Sequence, residues 1–246
     1  MIKFYLRIEN HMLTPHLLSI ITLIILAFNL IIRISPTNFI KLPQSFNSRY
    51  MGLIMPTSLF TYCDVYLLVL FIILIFFFLG IDYETSMEDI ALASCGSKTN
   101  KLFARKLAAI ISLYLVLYTI TFVNIYTLYI SLIDGKGAMI PVADILIFSA
   151  TTNLFVFSLS LFILVLSRNI SVSISLITAY YLIEEALWRC KITKSNGILG
   201  HIYNYSNYTV GKTYSVKLLY ILFSFVLLFI SYKISQRKFS LRGHRN

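Results

Sequence analysis

Six apolar stretches dominate this chain, and their lengths restrict the folds open to it. They cover residues 17–34, 65–81, 107–133, 145–166, 170–187 and 216–234. A helix needs about 20 apolar residues, within a range of about 17–25, to cross the hydrocarbon core of a bilayer. In lipid a backbone must satisfy its own N–H and C=O groups, which a helix does within a single segment. The pattern therefore predicts an all-α integral membrane protein with six transmembrane helices in one domain, residues 1–246.

The composition supports this class of protein. Charged residues make up 13% of the chain and hydrophobic residues 58%, whereas a soluble domain carries about 25% charged residues. Cys63, Cys95 and Cys190 are scattered without a CxxC pair, which indicates neither a disulfide framework nor a metal site. The first apolar stretch ends in Arg-Ile-Ser-Pro at residues 33–36. It offers no small-residue cleavage site, so no cleavable signal peptide is expected.

The lysines and arginines predict the orientation. Six spans place both termini on the same side, and 12 of the 21 basic residues fall on that side, against 9 on the other. Because cytoplasmic loops carry the excess of Lys and Arg, both termini are expected in the cytoplasm of a multi-pass cell-membrane protein. The net charge of +11 is then explained by loops beside anionic membrane lipid. No basic and aromatic motif indicates a nucleic-acid partner.

Segments outside and inside the spans carry further predictions. In residues 1–16 the apolar side chains fall on one helical face, which predicts an amphipathic interfacial helix ending near Pro15; a frayed terminus is the alternative. Residues 188–215 hold apolar patches too short to span and are predicted to form an outer loop with short helices. Asn29, Asn124 and Asn153 lie within apolar stretches, where hydrogen bonding between helices is expected.

The polar segment 82–106, between the second and third stretches, is the main candidate site. Its acids are concentrated at the start, with Asp82, Glu84, Glu88 and Asp89 in eight positions. Thr85 or Ser86 can cap a helix with an acid three residues on, and Gly96 is a natural C-terminal stop. Arg105 and Lys106 lead into the third stretch. A short cytoplasmic helix that docks a soluble protein is one interpretation, and a solvated juxtamembrane helix is the other.

The residues of this segment carry a resemblance to a known family. Asp82-x-Glu84, then Asp-Ile-Ala-Leu-Ala-Ser-x-Gly at 89–96 and Leu-Phe-x-Arg-Lys-Leu at 102–107, is similar to the cytoplasmic element of type-2 ATP-binding cassette (ABC) exporter permeases. Those permeases combine an interfacial N-terminal helix, six spans, this acidic helix with its basic exit, and short outer helices before the last span. The family often has a proline near the glycine turn, where this chain has Ser-Cys-Gly-Ser at 94–97.

The resemblance implies a function and its partners. A permease of this kind forms the translocation path, pairs with a second permease as a homodimer or heterodimer, and is driven by a separate cytoplasmic ATPase. ATP and magnesium bind that ATPase, and no catalytic, cofactor or metal site is expected in this chain. The implied cargo is a peptide, an antibiotic or a lipid-like amphiphile, as in peptide export or antimicrobial resistance. The residues implied to couple to the ATPase are Glu84, Ser86, Met87, Glu88, Asp89, Ala91, Leu92, Gly96, Arg105 and Lys106.

A motif near the last stretch is a weak match to a nucleotide site. Gly211, Lys212 and Thr213 match the end of a phosphate-binding loop, but Ser206 occupies the position of its first glycine. No strand is predicted before it, so ATP is expected to bind elsewhere.

Two adjacent glutamates at the end of the fifth stretch form the second candidate site. A carboxylate at mid-bilayer costs about 2.5–3.5 kcal/mol, so such acids mark functional positions. Glu185 and Arg189 are four residues apart and can pair on a helix. An outer gate or a structural pair formed by Glu184, Glu185 and Arg189 is one interpretation.

The same residues, EExxxR, also resemble the first motif of CAAX-protease-like intramembrane proteases. In that family the acids act with histidines on later spans to activate water. Only His201 and His244 follow here, and neither has the sequence context of that family. An intramembrane protease that uses Glu184 and Glu185 is therefore one alternative hypothesis, and a membrane scaffold outside the ABC class is the other.

Overall fold

The structure is a computed structural model. It describes residues 3, 16–35, 53–54, 63, 66–84, 99–133, 138–139, 142–189 and 210–242. The helices in this part of the chain are α1 (Leu17–Ile34), α2 (Leu67–Glu84), α3 (Thr99–Ile133), α4 (Val142–Ser167), α5 (Ile170–Arg189) and α6 (Val210–Arg242). Two short strands, β1 (Leu53–Ile54) and β2 (Ala138–Met139), pair in parallel. The predicted helices of 1–16 and 86–95 fall outside the described residues, apart from Lys3 and His16.

Five of these helices are long and apolar enough to cross a membrane: α1, α2, and the parts of α3, α4 and α6 at Ala104–Leu128, Ser149–Ser167 and Lys217–Ser235. The chain is therefore an all-α protein of the multi-pass membrane class, as the sequence predicts. The remaining helix, α5, has a shorter apolar part, Ile170–Glu184. Its serines and its two glutamates lower its hydropathy, so a sixth span stays a prediction.

The contacts between helices give their relative directions. Asn29 bonds Thr121 and Arg33 bonds Thr127, so the contacts of α1 and α3 advance together and these helices run parallel. The same holds for α4 and α6, where Thr152 bonds Lys217 and Phe155 packs on Tyr220.

Neighbouring helices run in opposite directions. Phe71 of α2 stacks on Tyr114 of α3 with ring centroids 3.9 Å apart, and Asp82 reaches back to Lys106. Along α3 and α4 the order is likewise reversed, since Tyr114 bonds Asn153 and Tyr118, further along α3, bonds Ser149, which comes earlier in α4. The described helices thus alternate in direction, as in a chain that crosses a membrane repeatedly.

The core is built around α2. This helix is apolar on every side, and such helices are buried by their neighbours. Its side chains include most of the largest fully buried ones, among them Phe76, Phe78 and Ile75. By contrast, α6 exposes Leu222, Phe225 and many other apolar side chains. That exposure suits a helix that faces lipid.

The turn between α4 and α5 brings α5 against α2. Arg168 adopts a left-handed backbone conformation with φ 53°, and the Asn169 side chain accepts a bond of 3.0 Å from the N–H of Val172. This is an N-cap for α5. Close approach of the two helices requires a glycine in α2, because a Cβ at Gly80 would lie 2.4 Å from Cγ1 of Ile170.

Candidate functional site

The cytoplasmic ends expected for α2, α3 and α5 meet in a cluster that we call the helix-end junction: Asp82, Tyr83, Glu84, Lys106, Arg168 and Ile170. At its centre the Lys106 ammonium donates to both carboxylate oxygens of Asp82, at 2.8 and 3.0 Å. The Lys106 and Asp82 side chains are 12% and 24% exposed, so solvent screens this ion pair less than a pair on an open surface. The ion pair joins the end of α2 to the first turns of α3.

The junction also reaches α5. Glu84, the last residue of α2, accepts a hydrogen bond of 3.2 Å from the backbone N–H of Ile170. The first N–H groups of a helix have no partner within it, and its N-terminus favours negative charge. The carboxylate therefore fastens the start of α5 to α2. The Arg168 guanidinium, 5.5 Å from the Tyr83 ring centroid, adds a second contact between the α4–α5 turn and α2.

The junction flanks the segment that the sequence singles out. Glu84 directly precedes residues 85–98, α3 begins directly after them at Thr99 and carries Lys106 in its second turn, and Arg105 is exposed on α3. The other predicted ATPase contacts lie in that segment, outside the described residues: Ser86, Met87, Glu88, Asp89, Ala91, Leu92 and Gly96. Their contacts stay predictions, and the structure adds that both ends of the segment are tied to the bundle.

A second group of polar side chains lies in the bundle interior, and we call it the polar belt. Its members are Asn29, Tyr114, Tyr118, Thr121, Asn124, Ser149, Thr152, Asn153, Glu184 and Lys217. Between α1 and α3, Asn29 Nδ2 donates to Thr121 Oγ1 at 2.9 Å. Asn124 Nδ2 donates to Asn29 Oδ1 at 3.2 Å and to the Asn29 carbonyl at 2.9 Å. The prediction that these asparagines bond between helices is confirmed.

The belt continues from α3 to α4. The Tyr114 hydroxyl donates to Asn153 Oδ1, and the Tyr118 hydroxyl donates to Ser149 Oγ at 2.5 Å. Asn153 also donates to the Ser149 carbonyl at 2.8 Å. Because these groups are buried, the hydrogen bonds offset the cost of removing them from water. The prediction for Asn153 is confirmed as well.

The belt ends with two ionisable side chains among α4, α5 and α6. Lys217, only 6% exposed, donates to Thr152 Oγ1 at 2.8 Å. Glu184, 1% exposed, interacts electrostatically with Tyr220. Lys217 and Tyr220 are three residues apart and share a face of α6. An ammonium and a carboxyl group are therefore buried in the same part of the bundle.

This arrangement adds to the predicted surroundings of Glu184. The sequence predicts Glu185 and Arg189 as its partners. Both residues lie on α5, but their side chains are outside the part that the structure describes. Lys217 was counted as a charge of the outer loop. Its position inside the apolar stretch 216–234 was the available signal, because a lysine there must find a polar partner.

The described residues offer no metal centre, since no three His, Cys, Asp or Glu side chains among them lie close enough to hold an ion. His201 and His244 lie outside the described residues, so the protease interpretation of Glu184 stays a hypothesis. Comparison of the chain with known protein families, characterised proteins and solved structures gives no match.

Proposed function

We propose that this chain is the permease subunit of an ABC exporter. In this proposal it forms the translocation path, pairs with a second permease, and couples to a separate cytoplasmic ATPase through the region 82–106, with a docking helix at about residues 86–95. The all-α membrane architecture is consistent with the proposal. The resemblance of residues 82–107 to the coupling element of such permeases is the reason for proposing an ATPase as the partner.

The helix-end junction is the observation that carries the proposal. A docked ATPase can drive the membrane helices only if the docking segment is connected to them mechanically. Asp82 and Lys106, the two ends of the region 82–106, form an ion pair, and Glu84 adds a bond to α5. A displacement of residues 85–98 is therefore expected to move the ends of α2, α3 and α5 together.

The polar belt supports a path through the bundle. Buried acids and bases in membrane helices commonly mark substrate or ion pathways. Glu184 and Lys217 lie in the half of the bundle predicted to be outer, where an opening between α4, α5 and α6 would expose both. We assign them to an outer gate. The proposed cargo is a peptide, an antibiotic or a lipid-like amphiphile.

Charge reversal in the docking segment tests the proposal. Glu88→Lys is expected to abolish association with the ATPase while the chain still inserts in the membrane. Glu88→Gln, which keeps the size and removes the charge, is the matched control and is expected to weaken association less. Co-purification with the ATPase is measured at equal membrane levels of each variant. Unchanged association of Glu88→Lys would rule out docking through this segment.

A further inference from the structure

A cavity of about 430 Å³ lies between α1, α2 and α3. Its walls include Ile24, Phe28 and Leu70, and its polar lining includes Asn29 and Thr121. A water molecule needs only about 10–15 Å³ of such volume, and ligand sites of small molecules span about 300–1,000 Å³. The cavity is therefore large enough for a ligand, and it belongs neither to the helix-end junction nor to the buried charges of α5 and α6.

The helix contacts explain why the cavity exists. Asn29 and Arg33 fasten α1 to α3 by hydrogen bonds to Thr121 and Thr127. In contrast, α1 contacts α2 much less than it contacts α3. These hydrogen bonds thus hold α1 away from the first turns of α2, and the space between the two helices stays open.

The described part of the lining suits neither charged nor strongly polar ligands. None of the described residues around the cavity is charged, so an ion that entered would lose its hydration without compensation. Both N–H donors of the Asn29 side chain are already used, one by the Ile25 carbonyl at 2.9 Å and one by Thr121. Its Oδ1 already accepts from Asn124. The chemistry of the walls suits a hydrocarbon.

The rim of the cavity faces the membrane. Ile24 and Tyr66 line it, and they are 49% and 55% exposed. Ile24 lies within a membrane-spanning helix, so the surroundings of this rim are acyl chains. Tyr66 directly precedes the first turn of α2, and its phenol gives the rim a polar group of the kind that contacts lipid headgroups.

We infer that this cavity binds one alkyl chain of a membrane amphiphile, with the polar head beside Tyr66. Transfer of an alkyl chain from lipid into the cavity gains little hydrophobic free energy, because lipid tails are as apolar as the walls. Binding therefore depends on the shape of the cavity and on the headgroup contact. The high concentration of acyl chains in the bilayer keeps the cavity filled. The inference does not depend on the exporter proposal.

Photolabelling of the full chain in proteoliposomes tests this inference. The probe is a long-chain fatty acid with a diazirine near its methyl end, and labelled residues are mapped by mass spectrometry. We expect labelling at Phe28 and Leu70 that excess unlabelled fatty acid suppresses, because a cavity saturates. Labelling at Leu222, on the exposed face of α6, is expected to resist competition because that contact is with bulk lipid. Labelling at Phe28 that does not saturate would overturn the inference.

A cavity-filling variant provides the second measurement. Leu70→Trp is expected to lower labelling of Phe28 by about tenfold, since overpacking of an occupied site costs about that factor in affinity. Leu222→Trp, at an exposed position of α6, is the matched control and is expected to leave labelling unchanged. Cross-links between two copies through Ile24→Cys, with Phe28 unlabelled, would mean that a second chain covers the cavity and would contradict the inference.

Discussion

The carboxylate of Glu84, the last residue of α2, holds the backbone N–H of Ile170, the first residue of α5, at 3.2 Å. The two residues are 86 positions apart in the sequence. Through this bond, the acid that begins the predicted ATPase-docking segment also secures a helix that contributes Glu184 to the polar belt. A signal at the docking segment therefore has a direct structural route to α5.

Glu84→Ala is expected to loosen the start of α5. Loss of a side-chain acceptor at a helix N-terminus costs about 1 kcal/mol, and the effect is modest here because Glu84 is exposed. Amide hydrogen exchange at the first turn of α5 measures the result, and protection of Ile170 is expected to fall. Glu84→Gln keeps an acceptor oxygen and serves as control. Equal protection in Glu84→Ala and the unmodified chain would contradict this role.

Lys106→Met is expected to destabilise the junction by roughly 1–3 kcal/mol, between the values for exposed and for buried ion pairs. The loss arises because Asp82, 24% exposed, is left without its cation. Thermal unfolding in detergent measures the change. Lys106→Arg preserves the charge and is expected to retain most of the stability. If Lys106→Met unfolds at the same temperature as Lys106→Arg, the ion pair contributes nothing.

Gly80→Ala is expected to destabilise the chain even though alanine is the better helix former. Alanine is favoured over glycine in a helix by about 0.5–1 kcal/mol, but its Cβ would lie 2.4 Å from Cγ1 of Ile170. Overpacking of this kind costs about 1–3 kcal/mol. The same change in an Ile170→Ala background removes the clash and is expected to be neutral or stabilising. A stabilising Gly80→Ala in the unmodified chain would refute the close approach of α2 and α5.

Glu184 and Lys217 are expected to be energetically coupled. Lys217→Met removes a buried ammonium and Glu184→Gln removes a buried carboxyl charge in the same part of the bundle, so each single variant is expected to lose stability. The free energy of unfolding of the double variant is expected to fall by about 1–2 kcal/mol less than the sum of the two single losses, as for groups in one polar network. Thermal unfolding of the unmodified chain, the two single variants and the double variant measures this double-mutant cycle. Strictly additive losses would show that the two groups are not energetically coupled.

The membrane architecture was predictable from the sequence because it depends on local composition. Stretch length and hydropathy located the five helices that can cross a membrane, and the placement of Asn29 and Asn153 in apolar stretches required partners in neighbouring helices. Helices α3 to α6 are longer than the predicted spans; α3, for example, starts at Thr99 and α6 ends at Arg242. Apolar stretches measure the hydrocarbon core, whereas a helix can continue into water.

The side-chain partners were not predictable, because they depend on contacts between distant segments. Nothing in the pattern of residues 82–106 indicates that Glu84 meets Ile170 or that Asp82 pairs with Lys106. The burial of Lys217 was not predictable for the same reason. Its burial depends on Thr152, 65 residues earlier, and charge counting treats it as part of a loop.

The central claim is that this chain works with a separate ATPase, and purification from the native membrane tests it most directly. The tagged chain is extracted in a mild detergent, and the proteins that accompany it are identified and quantified. The account predicts a soluble ATPase with a phosphate-binding loop, present in stoichiometric amount and lost from the Glu88→Lys variant. A folded chain that purifies without any such ATPase would contradict the account.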